Sequence, residues 1–301
     1  ALDVLRERGL QPRRPLGIGN FSDEEGARFG VACDGSRLLT GALPAERALG
    51  LTDADGVSLA EALQRAGRHP GELGADPEAL RRIAAFVELH VEQGRGLVDL
   101  GSAVAIATSI WPHGRFRAEL PGAANHAGTT ALRDRHDPTL AYARLVLAAR
   151  DAAERHGVVA TCGKVRVEPN GVNAIPSHVT AWIDARGADA GAVRRVVAEL
   201  DELVTAAGGT MSEESWTDGT SFPRPLADRI AHALGEPPRL ATGAGHDAGV
   251  LGAYGIPAAM LFVRNPTGVS HSPAEFAERD DCLAGVDALA AVLVELLTAA
   301  A

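Results

Sequence analysis

Two adjacent carboxylates, Glu24 and Glu25, lie in the stretch FSDEEGARFG, after an apolar run and just before a glycine. Neighbouring side chains on an extended segment point opposite ways, so such a pair can divide two tasks, one holding a metal and the other facing a water. For an isolated Glu-Glu pair, two solvated glutamates opening a helix are the commoner arrangement. The company of this pair argues for chemistry: His90 in ELHVEQG, His126 in NHAGTT, Asn173 in PNGVNAIP and His271 in GVSHSPAE. From Val87 to Glu92 the pattern alternates, with Val87, Leu89 and Val91 on one side and Glu88, His90 and Glu92 on the other. A histidine between two glutamates on one strand face suits a metal ligand with supporting carboxylates, although an exposed polar face gives the same pattern.

Taken together and in this order, these motifs resemble the amidohydrolase branch of the M20 metallopeptidase-like family, the di-zinc enzymes that include allantoate amidohydrolase, N-carbamoyl-L-amino acid hydrolase and beta-ureidopropionase. The likeness runs nearly end to end. It implies that Glu24 is the general base, that Glu25, His90 and His271 bind zinc, and that His126, Asn173 and Arg186 bind substrate, reaching across a dimer into the partner's site. The residue types suit those roles. A histidine can stabilise a developing oxyanion, an asparagine can donate and accept at a ureido group, and an arginine fork fits a carboxylate. Without the resemblance, Arg186 at the end of AWIDAR reads as an ordinary solvated arginine. His246 and Asp247 of GAGHDAG read as approaching the metal pocket or, for Asp247, as capping a helix. The role of His113 in WPHGR stays open, substrate contact being one option, whereas His69, His136, His156 and His232 need no function.

The elements that must position these residues suggest an α/β chain in two parts. A helix over 1–9 ends at Gly9, and Leu16–Phe21 reads as a short buried strand whose end carries Glu24 and Glu25. Helices follow at 58–66 and 77–84, started by Ser58 and Asp76. After Gly101 come strands at 104–110 and 115–120, a helix at 138–156, strands at 158–167 and 178–185, a helix at 192–206 and a strand at 210–216. Without its leading strand that order is βαββαβ, the ferredoxin-like pattern. The resemblance makes it an inserted lid and dimerisation domain (104–217) within a di-zinc aminopeptidase-like catalytic domain (1–103 and 218–301). A helix at 225–234, a buried strand at 256–263 and a helix at 281–298 complete the second part, the last helix spacing Leu283, Val286, Leu289, Val292 and Leu296 for the core.

At 301 residues and 46% hydrophobic, the chain has enough apolar content for two ordinary cores. The net charge of −10 argues against nucleic acid as a partner and favours a small molecule, here a ureido or carbamoyl amino acid. No apolar run reaches membrane-spanning length. Cys33, Cys162 and Cys282 form no metal spacing or disulfide framework, read as packing residues, and fit a cytoplasmic setting. The expected cofactor is zinc, two per subunit, with manganese as the alternative, and the expected assembly is a homodimer.

One departure from the family pattern stands out. The family also uses a histidine from an HxD motif and a bridging aspartate, both upstream of the strand expected at 16–21, and no HxD precedes Glu24. The opening on Ala1, inside a helix-like ALDVLRERG, suggests that an N-terminal segment belongs to the natural protein. On this reading residues 1–301 alone have an exposed sheet edge, associate readily and are inactive, with well under two zinc ions per subunit. Two other functions compete: a metal-deficient, non-catalytic dimeric homologue, and an M20-type peptidase or aminoacylase. Retention of Glu24, Glu25, His90 and His271 speaks against the first, and the histidine of ELHVEQG against the second.

Overall fold

The computed structural model describes residues 1–299. The chain divides into two compact units, one of Ala1–Ile110 with Thr220–Ala301 and one of Trp111–Gly219. In chain order the first unit opens with short helices α1 (Leu2–Glu7), α2 (Asp34–Thr40), α3 (Ala45–Leu49), α4 (Leu59–Arg65) and α5 (Pro77–Arg81). Strand β1 (Phe86–Val91), the single-turn α6 (Gly96–Asp99) and strand β2 (Val104–Ile110) follow. The starts obey local chemistry: Ser58 and Glu61 form a reciprocal capping box on α4, and Asp76 accepts the Ala79 N–H ahead of Pro77 on α5.

The second unit holds β3 (His113–Pro121), β4 (Asn125–His126), α7 (Pro138–His156), β5 (Val159–Glu168), β6 (Ala174–Ile175), β7 (His178–Arg186), α8 (Ala190–Ala206) and β8 (Thr210–Thr217). Its main sheet is antiparallel, in the order β5-β7-β3-β8. Phe116, Ala118 and Leu120 of β3 and Val179, Ala181, Ile183 and Ala185 of β7 alternate inward, packing on Leu145 and Ala149 of α7 and Val193, Val196 and Leu200 of α8. Most outward residues of both strands are charged or polar, Pro121 and Trp182 excepted, so one face is dry and the other largely wet. Asp137 caps α7 ahead of Pro138, and Gly157 ends it at φ 66°, a left-handed turn that glycine adopts without strain.

The chain then returns to the first unit with β9 (Thr220–Ser221), α9 (Arg224–Ala233), β10 (Arg239–Thr242), α10 (Asp247–Tyr254), β11 (Ala258–Val263) and α11 (Arg279–Thr298). Its sheet runs β1-β11-β2-β10, with β9 also beside β2. β1 and β11 are parallel, β10 and β2 are parallel, and β11 meets β2 antiparallel. Every residue of β11 is buried because both faces are covered. Ala258, Met260 and Phe262 enter a cluster with Leu97 and Ala248, while Ala259 and Leu261 enter another with Ile230 and Val292. Glu88 and His90 lie opposite Met260 and Phe262 in register, which fixes the sheet face on which they stand.

Several expectations are corrected here. Leu16–Phe21 forms no strand: it joins no sheet, and Leu16 and Ile18 are 40% and 78% exposed. Apolar spacing alone cannot make a strand without a neighbour to complete its hydrogen bonds. Val104–Ile110 belongs to the first unit's sheet, so the second unit begins at Trp111 rather than at 104. Cys282 is exposed and Leu283 is 47% exposed, so the apolar stripe of α11 is narrower than its spacing suggests. Cys33 is buried, Cys162 is partly buried, and all three cysteines are free. Among the described residues no helix is long and apolar enough to cross a membrane.

Candidate active site

The Glu24-Glu25 pair sits in a tight turn instead of at a strand end. Asp23, itself at φ 46°, accepts the N–H groups of Ala27 (2.8 Å) and Phe29 (3.3 Å). Gly26 is at φ 65°, and a Cβ there would lie 2.6 Å from the Ala32 nitrogen, so glycine is required. The turn is then tied down by Cys33 N–H donating to the Glu24 carbonyl (2.8 Å). Farther along, Ser36 Oγ on α2 donates to the buried Asp247 carboxylate at the start of α10 (2.5 Å). These links hold the turn near His246, the residue that precedes α10.

His246 is the least expected member of the site. Its side chain is 2% exposed, and its Nδ1 makes no hydrogen bond while lying 3.6 Å from Glu88 Oε1 and 3.8 Å from Glu24 Oε1. The His90 and His246 rings are 4.5 Å apart, edge to face. Glu88, His90 and His246 each present one ligand atom within 4.8 Å of the others. Burial, together with His90, lowers the His246 pKa to about 3, so the imidazole is neutral and keeps a lone pair. Burial pushes Glu88 up to about 7, against the Ala248 N–H that donates to it at 2.8 Å. Burial and then the Glu25 carboxylate raise Glu24 above the ordinary carboxylate range, with His90 and His271 opposing.

An orphaned buried nitrogen facing two carboxylates is costly alone and is satisfied by a cation. His90 Nδ1 lies 2.7 Å from the Val91 carbonyl, an arrangement that puts its proton on Nδ1 and turns the Nε2 lone pair outward. Two imidazoles and a carboxylate are a donor set that suits zinc or manganese. The residues present therefore fit a divalent metal at Glu88, His90 and His246. Glu88 and His246 thus join His90 as groups that could hold a metal ion.

Glu25 and His271 meet separately and in the open. His271 Nε2 is 3.3 Å from Glu25 Oε2, with both side chains more than half exposed. The loop that carries His271 is built by buried Asn265, whose Oδ1 accepts from Thr267 and Gly268 N–H while its Nδ2 donates to the Val269 carbonyl. His271, at φ 55°, donates its backbone N–H to Glu275 (2.8 Å), and Gln93 reaches Ser270 Oγ at 3.2 Å.

In the second unit, His126 and Asn173 come together at the small β4-β6 ribbon, where Ala127 N–H donates to the Asn173 carbonyl (2.9 Å). His126 Nδ1 accepts the Gly128 N–H at 3.1 Å, so the neutral ring carries its proton on Nε2, ready to donate. Arg135 braces this loop through the Ala127 and Thr130 carbonyls. Arg186 closes β7, paired with Asp184 through Nε (2.5 Å) and Nη2 (2.8 Å). His113 lies opposite Arg186 in register.

Sequence reasoning left out Glu88 and His246 as ligands. Glu88 shares His90's strand face, as does Glu92, yet Glu92 turns away to accept the Gly96 and Leu97 N–H groups and cap α6. The GHD of GAGHDAG was the available signal for His246, but which side chain enters the pocket depends on where α10 begins.

The chain as a whole is similar to known proteins in sequence and in fold. Residues 1–295 match the Peptidase family M20/M25/M40, and the chain belongs to that family. It is 37% identical over 302 residues to an N-carbamoyl-L-amino acid amidohydrolase of Geobacillus stearothermophilus, covering 96% of this chain and 73% of that one. An Escherichia coli allantoate amidohydrolase is 32% identical, with 98% and 74% covered. Among solved structures, AtUAH in complex with (S)-hydroxyglycine superposes with a TM-score of 0.88 at 28% identity, covering 99% of this chain and 75% of that chain. An amidase of the hydantoinase/carbamoylase family from Burkholderia vietnamiensis gives 0.87 at 25% identity, with 98% and 73% covered.

Proposed function

We propose that the protein is a metal-dependent amidohydrolase that cleaves a C–N bond of a ureido or carbamoyl amino acid, with allantoate and N-carbamoyl-L-amino acids as the leading substrates. The observation that carries this reading is the partly buried Glu88–His90–His246 cluster, with the orphaned Nδ1 of buried His246 lying 3.8 Å from Glu24. The names of the relatives supply the substrate class. We assign the cofactor as zinc, with manganese as the alternative, held at this cluster and, in a second position, by Glu25 and His271. The same reading makes the protein a cytoplasmic homodimer formed through the 111–219 unit.

When bound, the metal supplies Lewis acidity toward the ureido carbonyl. Glu24, its proton affinity raised by burial, takes the proton from the attacking water and returns it to the nitrogen as the C–N bond breaks. His126 Nε2–H donates to the oxygen on which charge develops, and Asn173 matches the ureido group with one donor and one acceptor. Arg186 receives the substrate carboxylate.

The test is metal analysis of the purified natural full-length protein combined with hydrolysis assays on allantoate and N-carbamoyl-L-amino acids. Release of ammonia that a chelator abolishes and added zinc or manganese restores supports the reading. Metal-free protein with no turnover on either substrate, under added metal, would overturn it in favour of a non-catalytic binding protein.

A further inference from the structure

The loop that carries His126 has little packing of its own. From Ala123 to Thr130 only Ala127 and Thr130 are half-buried, and His126 itself is exposed, so its ring must be aimed by hydrogen bonds. The His126 carbonyl accepts both the N–H and the hydroxyl of Thr130, at 3.2 and 2.7 Å, which folds residues 126–130 into a turn. Arg135 then joins the two ends of that turn, Nη2 donating to the Ala127 carbonyl at 2.6 Å and Nε to the Thr130 carbonyl at 3.1 Å. One rigid, planar guanidinium therefore holds both carbonyls at a set separation.

Gly128 lies between those two carbonyls in the chain, and its N–H is the donor that meets His126 Nδ1 at 3.1 Å. A Cβ on Gly128 would come within 3.2 Å of His126 Cε1, so ring and backbone approach closely here. Arg135 thus sets the carbonyls, the carbonyls set the Gly128 N–H, and that N–H sets the ring. Arg135 can act as the fixed point because it stands at the root of α7. The next carbonyl, that of His136, accepts the Ala123 N–H at 2.9 Å, and Asp137 caps the helix by accepting the Thr139 N–H at 2.9 Å. Among the described residues the Arg135 guanidinium forms no ion pair, and its donors go to peptide carbonyls. Arg133, two residues earlier, is 87% exposed beside Asp134 and takes no part in the loop.

We infer that Arg135 is a positioning residue for His126: it holds the NHAGTT loop in the turn that presents the neutral imidazole with its proton on Nε2. This inference rests on the reading of His126 as the donor to the developing oxyanion and names the residue that aims it. A donor needed only as charge develops acts on the transition state and little on the bound substrate, so misaiming it lowers kcat and leaves KM nearly unchanged.

Steady-state kinetics of the natural full-length protein on an N-carbamoyl-L-amino acid, together with nitrogen NMR of the His126 ring, test this. Arg135→Ala should lower kcat by about ten- to a hundredfold with little change in KM or metal content, and Arg135→Lys, which can still reach one carbonyl, should keep part of the rate. Dilute guanidinium should restore part of the rate to Arg135→Ala and none to Arg133→Ala, which should match the unaltered protein throughout. The double variant of His126→Ala with Arg135→Ala should be no slower than His126→Ala alone, because both changes remove the same interaction. At a pH where the ring is neutral, Nδ1 should be unprotonated in the unaltered protein and share the proton with Nε2 in Arg135→Ala. Unchanged kcat and an unchanged tautomer in Arg135→Ala would overturn the inference. So would a double variant slowed by the product of the two single losses, or a lowered unfolding temperature with no rescue by guanidinium, since either shows a role apart from His126. If His126→Ala keeps full turnover, or the unaltered protein has none, the catalytic reading of His126 fails, while the ring's tautomer in Arg135→Ala still decides whether Arg135 aims it.

Discussion

In the unit built around β1 and β11, Glu24, Glu88, Asp247 and His246 are pressed together with few hydrogen bonds, and burial sets their protonation: the carboxyls are raised and the imidazole is lowered to about 3. In the antiparallel unit, His126 and Arg186 keep partners within two residues along the chain, and direction is what those partners fix. The first arrangement shifts proton affinity by denying side chains water and, on the proposed function, leaves lone pairs for a metal. The second gives up little solvation and aims donors outward. Groups that make and break bonds need the former, and groups that recognise a substrate need the latter.

The sharpest way to break this contrast is to remove a group from the buried set. Glu24→Gln keeps the shape and loses the base, so turnover should fall by about two to four orders of magnitude while metal content stays near that of the unaltered protein. Loss of metal in that variant would mean that Glu24 and Glu25 have exchanged roles. Next in size, His246→Ala should weaken metal binding by at least about tenfold in a chelator competition, while His126→Ala leaves it unchanged. Equal metal loss in both would erase the distinction between the units.

A mixing experiment asks whether the outward-aimed groups serve a partner. Glu24→Gln and Arg186→Ala proteins, each inactive, should on subunit exchange regain roughly a quarter of full activity, since half the dimers are mixed and each holds one intact site. No recovery with exchange demonstrated would place Arg186 in its own subunit's site or outside any site.

The smallest expected effect concerns Glu199, held well down at about 2 by hydrogen bonds from Arg155 and then His156. A carboxyl whose folded pKa is depressed stabilises the fold above its ordinary value of 4.5 and loses that contribution as pH falls toward about 2. Glu199→Gln should therefore unfold only a degree or so lower at neutral pH, because exposed ion pairs are weak, with the difference vanishing in acid. A difference that persists at pH 2 would assign the effect to packing instead of charge.

Much of the fold was legible because its signals are local. Asp137-Pro138 opens α7 and Gly157 closes it, and the alternation from Val87 marks β1. Leu16–Phe21 carries comparable apolar spacing yet forms no strand, since pairing is decided by distant segments. The site divides in the same way. Glu88 and Glu92 flank His90 symmetrically in sequence, and only the chain's turn into α6 sends Glu92 to a cap and leaves Glu88 beside the imidazole. The gathering of His246 with residues more than 150 positions earlier follows from strand order, which no window of sequence contains.

Strand β1, which carries Glu88 and His90, pairs only with β11 among the described residues. Its flanking amides show which side is bonded: Phe86 N–H donates to the Pro257 carbonyl and Glu92 N–H to the Val263 carbonyl. In a parallel ladder the same side is used by every second residue, so the amides of Glu88 and His90 face β11 and those of Val87, Leu89 and Val91 face the open edge. Deuterium should therefore enter this strand in a stripe, slowly at Glu88 and His90 and quickly at the residues between them. The stripe is a built-in reporter: any polypeptide that pairs with the open edge, from the same chain or another, would slow the fast amides and announce itself without an activity assay.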